Sequence, residues 1–286
     1  MARSIIGVIG GSGLYQMAGL ENVREVEVKT PFGKPSDKFV RGVLDGVGFL
    51  FLPRHGKGHR WLPTEVNSRA NIFAMKKLGV ERIISVSAVG SLREEIAPGH
   101  VVVPDQFIDR TTQRPSTFFG KGIVGHVSLA DPFCKDLAAK LANAATQEGA
   151  KVHARGTYLC MEGPQFSTRA ESHLYRGWGA AVIGMTNIQE AKLAREAEIC
   201  FATLALATDY DCWNEAVGNV EIEQVLKVLQ QNVELAQRTI RRVVTALSDA
   251  RSCGCESSLK DAIITERTRI PKNVRANLKP IIGKYL

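Results

Sequence analysis

The chain has 286 residues, 44% hydrophobic and 23% charged, enough to bury a sizeable core. No run of 18 apolar residues occurs, and "MARSIIGVIGG" is too short to span a bilayer and lacks a cleavage site, so a mature cytoplasmic protein is expected. The formal charge of +8 does not read as a nucleic-acid surface: seven Lys/Arg against two acids fall in residues 257–286, leaving the body nearly balanced.

The first apolar run, residues 4–10, predicts a strand closed by "GGSG". A dinucleotide loop would continue G-x-G-x-x-G, but after Gly11 and Gly13 the third position is Gln16, and without it Glu25 and Glu27 decide little. A tight turn is one reading. The other is a nest of backbone N–H groups that holds phosphate together with the Ser12 hydroxyl. Residues 40–53 form two runs joined at Asp45-Gly46, a hairpin signal. A helix follows over 64–79, with apolar residues at 66, 70, 73, 74 and 78 and a terminal glycine.

Further strands are predicted at 82–90, 100–106, 156–161, 180–185 and 199–209, and further helices at 131–149 and 220–247. Thr168 with Glu171, and Asn187 with Glu190, have the spacing of a capping box. Beyond residue 250 the sequence turns irregular, with Pro271 and Pro280, and reads as a surface extension. The expected fold is an α/β three-layer sandwich around a mixed, largely parallel twisted sheet. Residues 1–250 are expected to form one domain, with 251–286 as an extension packed on it. Cys134, Cys160, Cys200 and Cys212 read as isolated core residues. Cys253 and Cys255 are spaced for neither a redox motif nor a zinc knuckle and leave a local disulfide or free thiols open. No His/Cys cluster has metal-ligand spacing, so no metal is expected.

In such sheets ligands gather at the carboxyl ends of strands. The loops there carry Ser12, Arg54, His55, Ser87 and Thr186, donors and hydroxyls suited to a doubly charged tetrahedral oxyanion. They also carry Met161, Phe166, Met185, Asp209 and Asp211, apolar faces and two carboxylates suited to a flat heteroaromatic base and a sugar.

The strings "IGGSGL", "TPFGKPSD", "RHGKGH", "SAVGSLREEIAPG", "DQFIDRTTQRP", "EGPQFSTRAES" and "ATDYDCW" together resemble the 5′-methylthioadenosine phosphorylases of the trimeric purine nucleoside phosphorylase family, collinearly from about residue 5 to 247. The stretch around Cys253 and Cys255 resembles the C-terminal extension of archaeal-type members. The resemblance implies the nucleoside phosphorylase fold and a pentosyltransferase of purine salvage. Phosphate is its co-substrate, it needs no cofactor, and it assembles as a homotrimer or a hexamer.

It further implies a phosphate site of Ser12, Arg54, His55, Ser87, Thr186 and the Ala88 backbone. Phe166 would stack on the base, Met185 would lie under the ribose, and Asp209, Tyr210 and Asp211 would meet the purine. His126 would reach the 5′-substituent across a subunit boundary, and Ser167, Ile222 and Val225 would tune specificity at that end. The two acids match the adenine type. Gly184 stands where methylthioadenosine enzymes usually carry Asn, and resembles the inosine/guanosine branch. Methylthioadenosine is therefore the expected substrate, with methylthioinosine or another 6-oxopurine nucleoside as the alternative.

Overall fold

A computed structural model describes residues 5–15, 17–214, 222–247 and 250–286; the side chains of residues 12, 15, 222–227, 229 and 230 are outside that description. The expectations placed on the side chains of Ser12, Ile222 and Val225 therefore lie outside the described residues.

The centre is an 11-stranded mixed sheet. Its continuous path runs β2 (Leu20–Val26), β3 (Phe39–Leu44), β4 (Val47–Pro53), β1 (Ile5–Gly10), β5 (Val80–Ser91), β10 (Val182–Gly184), β9 (Thr157–Cys160) and β7 (Gln106–Asp109). β5 is also paired in parallel with β11 (Cys200–Asp209), which carries β6 (Val101–Val102) and then β8 (Val152–His153). Pairs such as β1–β4, β1–β5 and β5–β11 are parallel, and the early hairpin is antiparallel. At its tip Asp45 and Gly46 both take positive φ, 49° and 79°, as a type I′ turn requires.

Alternation along the strands feeds two helical layers. Val8, Phe51, Ile84 and Leu204 pack with Leu137 and Leu141 of α2 (Lys135–Gln147) and Ile240 and Val243 of α5 (Ile222–Ala246). On the other face Ile9, Leu50, Ile83 and Phe201 meet Phe73 of α1 (Ser68–Lys77) and Leu193 of α4 (Ile188–Glu196). The expected three-layer α/β sandwich is the fold. Both faces being covered explains why the central strands read as continuous apolar runs.

Several boundaries differ from the sequence reading. α1 starts at Ser68, because Asn67 accepts the Ala70 N–H and caps the helix there. The run at 100–106 is divided between β6 and β7, and the polar edge strand β2 has no apolar signature. The stretch beyond 250 contains a helix, α6 (Lys272–Ile282), despite Pro280. Its Val274, Leu278, Ile281 and Ile282 repeat at helical spacing and bury against the α1 layer, which outweighs one missing N–H in the last turn. The Thr168–Glu171 capping box forms at the start of α3 (Arg169–Gly177). The Asn187–Glu190 box does not: Asn187 has φ 86° and makes no side-chain cap, and Glu190 is engaged elsewhere.

Candidate active site

The predicted loops converge at the carboxyl ends of β1, β4, β5, β9, β10 and β11. The Arg54 N–H donates to Gly10 O at 3.0 Å, which joins the ends of β1 and β4. Ala88 is exposed between the buried Ser87 and Val89 of β5, which marks the solvent-facing side of these strand ends as the candidate cleft.

Arg54, only 4% exposed, lies beneath the cleft. Its Nε donates to Glu190 Oε1 at 2.5 Å and its Nη2 to Glu190 Oε2 at 3.1 Å and Ser85 Oγ at 2.7 Å. Nη1 donates to Val86 O at 2.9 Å. The bidentate face expected to hold phosphate is thus occupied by a carboxylate. The reason is electrostatic: a guanidinium this deep requires a counter-charge, and Glu190 in the first turn of α4 supplies it. One Nη1 hydrogen is left without a partner among the described residues.

Ser87 of β5 and Thr186 of the loop after β10 meet at 3.1 Å between hydroxyls, and Ser87 Oγ also lies 3.1 Å from the Tyr158 hydroxyl. Burial pushes Tyr158 up to about 12, so this chain of three hydroxyls is neutral. His55 Nδ1 lies 2.8 Å from Trp61 O. A carbonyl only accepts, so Nδ1 carries the proton and Nε2 is an acceptor. Burial, aided by the adjacent Arg54 charge, lowers His55 to about 4. His55 therefore differs from the donor it was expected to be.

At the other end of the cleft a register shift between Ala207 and Asp209 breaks the β11–β5 ladder and sets Asp209 opposite Gly90. Asp209 Oδ1 accepts the Asp211 N–H and Oδ2 accepts the Thr208 hydroxyl, each at 2.7 Å. Asp211 takes φ 51°, and its buried Oδ2 has no hydrogen-bond partner among the described residues. Burial raises both carboxyls above their ordinary range. The Tyr210 hydroxyl donates to Glu94 O at 3.4 Å and its ring packs edge-on against Trp213, which props the aspartate loop.

Phe166 is 51% exposed at the cleft's outer loop, an open apolar face. The neighbouring Ser167 hydroxyl contacts Met161 Sδ at 3.4 Å, and Ser167 O accepts from Cys212 Sγ at 3.2 Å, which brings the 161–167 loop to the aspartate loop. Arg114 holds Met185: its Nε donates to Glu162 Oε1 at 2.8 Å and its Nη1 to Met185 O at 2.5 Å. Gly163 lies so close that a Cβ there would stand 2.5 Å from Met185 Sδ. His126 is exposed on a loop whose N–H donates to Ala262 O, and it is tied to the C-terminal segment.

A family profile, that of the phosphorylase superfamily, matches residues 5–245. The chain belongs to the phosphorylase superfamily. Among its relatives in that superfamily, the S-methyl-5′-thioadenosine phosphorylase of Geobacter sulfurreducens is 62% identical over 99% of this chain and 100% of its own length. That of Koribacter versatilis is 58% identical over 98% of this chain and 96% of its own. A crystal structure of methylthioadenosine phosphorylase from an antarctic soil metagenomic library superimposes with a TM-score of 0.92 at 49% identity, covering 98% of this chain and 99% of that one.

Phosphorylase-superfamily membership accounts for the converging loops, but four supporting residues escaped the sequence reading: Glu190, Tyr158, Arg114 and Ser85. Glu190 alone left a signal, an acid set among Ile188, Ala191, Leu193 and Ala194, where it is buried. Tyr158 explains Gly184. A Cβ on Gly184 would stand 2.0 Å from the Tyr158 hydroxyl, so the glycine makes room for the tyrosine. Gly184→Ala is expected to destabilise by about 1–3 kcal/mol. In a Tyr158→Leu background the cost falls, and a double-mutant cycle by thermal denaturation measures that coupling. Additive losses would show that the two residues do not compete for the same space.

Proposed function

We infer that this chain performs the phosphorolysis of S-methyl-5′-thioadenosine, giving adenine and 5-methylthioribose 1-phosphate. The observation that carries the reading is the pairing of two carboxyls whose pKa burial raises, Asp209 and Asp211, with a hydroxyl and guanidinium cluster across one cleft. Cleavage of the N-glycosidic bond builds positive charge on the sugar and negative charge on the leaving purine. The phosphate dianion stabilises the first and captures C1′ with inversion. Asp209, in the protonated form that burial favours, is assigned to donate toward N7 and stabilise the second, while Asp211 accepts from the 6-amino group.

On the anion side Ser87, Thr186, the remaining Arg54 hydrogen and the Ser12 loop donate to phosphate oxygens. Monohydrogen phosphate also carries one P–OH, and the neutral His55 Nε2 accepts it. Phe166 covers the base and Met185 the ribose, and Ser167 faces the 5′ end. A hydrophobic pocket rejects an added hydroxyl only modestly, so adenosine is expected to be a slow substrate. His126 reaches a neighbouring subunit's 5′-pocket in a homotrimer, consistent with its exposure on one chain. The reading places the enzyme in the cytoplasm, in keeping with six free cysteines.

The test is product chromatography with methylthioadenosine and methylthioinosine, each with and without phosphate. Phosphate-dependent adenine release is expected. Release without phosphate would overturn the anion site, and hypoxanthine release alone would overturn the base assignment.

The lowered His55 pKa makes a separate prediction. The unfolded chain protonates this imidazole near 6.5 and the folded chain only near 4, so the stability its neutral form confers is full above pH 6.5 and declines as pH falls toward 4. His55→Gln is expected to flatten the fall of Tm across that window. An unchanged slope would place the proton elsewhere.

A further inference from the structure

We propose that Cys134, Cys200, Cys253 and Cys255 form a structural zinc site that clamps the C-terminal segment to the α/β core. These four thiols were expected to be two isolated core residues and a separate pair. Instead the fold brings all four Sγ atoms within 4.8 Å of one another, with Cys200 and Cys253 at 3.3 Å. None of the four is in a disulfide, and they form one compact group of four instead of two bonded pairs.

The geometry suits zinc. With Zn–S near 2.3 Å, a tetrahedral site places its sulfurs about 3.8 Å apart. Small side-chain rotations bring every thiol here to that spacing. Binding replaces four S–H protons by one Zn²⁺ and leaves a net charge of −2, which needs cationic company. Arg195 Nη1 lies 4.0 Å from Cys255 Sγ, and the charged Arg251 stands two residues before Cys253. Cys134 occupies the N-cap of α2, where the positive end of the helix favours a thiolate. The ligands come from the start of α2, the start of β11 and the segment after α5, so the metal would close a long chain loop. That loop leads directly to Leu259, Ile270 and α6, which bury against α1.

The site is separate from the cleft. Cys200 and Asp209 are the two ends of the ten-residue β11, roughly 30 Å apart at about 3.3 Å per residue. Loss of the metal should therefore lower thermal stability while leaving turnover at moderate temperature intact.

The experiment uses the full chain, purified under reducing, metal-free conditions and titrated with zinc, with bound metal measured by plasma mass spectrometry after gel filtration. About one zinc per chain is expected, together with a higher Tm that a chelator reverses. Cobalt in place of zinc should show the thiolate-to-metal charge-transfer and d–d bands of a tetrahedral sulfur site. Cys253→Ser with Cys255→Ser should abolish both, with phosphorolysis retained. Reduced protein that takes up less than about a tenth of an equivalent, or cobalt without those bands, overturns the proposal. So does an intact mass four hydrogens short that maps to two disulfides among these cysteines. The cobalt spectrum of the unaltered chain decides the matter even if the double variant fails to fold.

Discussion

Asp209→Asn is expected to lower kcat for methylthioadenosine phosphorolysis by about 10²–10⁴-fold, with the KM for phosphate little changed. The carboxyl is anchored through both oxygens, by Thr208 and by the Asp211 N–H, so its direction is set before substrate arrives. Burial raises its pKa, which favours the protonated form that the role requires. An amide in the same place can still donate a hydrogen bond toward N7, but it has no proton to transfer as the purine departs. The residues proposed to hold phosphate, Ser87, Thr186 and Arg54, are not among its hydrogen-bond partners, so the change leaves them untouched. Steady-state kinetics varying each substrate, on protein shown to be folded by circular dichroism, checks this. A loss of less than threefold would remove Asp209 from the role of proton donor.

The other large effect is on stability. Glu190→Ala leaves Arg54 charged and unpaired with side chains 5% and 2% exposed, and should cost roughly 3–5 kcal/mol. Exposed pairs such as Arg269–Glu266 or Lys135–Asp131 offer no comparable effect, because solvent screens them. Replacing both members, Arg54→Met with Glu190→Met, removes the orphaned charge and is expected to restore most of the lost Tm. The double variant should nevertheless show a raised KM for phosphate, since the remaining Nη1 donor is gone. This pattern separates the pair's two duties. A single variant as stable as the parent would show that Arg54 finds another counter-charge, and a double variant with normal phosphate affinity would exclude Arg54 from the anion site.

Much of the architecture was legible because it is written in short-range periodicity. The apolar runs of β1, β5 and β11 mark strands buried on both faces, Asp45-Gly46 marks the hairpin, and Thr168 with Glu171 marks the start of α3. The rule that ligands gather at the carboxyl ends of strands then selected the loops bearing Arg54, Ser87, Thr186 and Asp209, and the resemblance supplied their chemistry.

What the chain order could not express are contacts between residues far apart along it. Glu190 is 136 residues from Arg54, and at its own position it mimics a helix cap. The steric need for glycine at 184 is visible only once the Tyr158 hydroxyl is seen in the space a side chain would take. Four cysteines with no metal-like spacing converge from three elements. Local pattern determined which segments become strands and helices, since backbone hydrogen bonding and alternation depend on near neighbours. Only the tertiary structure decided which buried charge meets which, which glycine yields to which ring and which thiols gather. Those pairings depend on how the layers close, and closure costs and gains free energy only when the whole sheet is assembled.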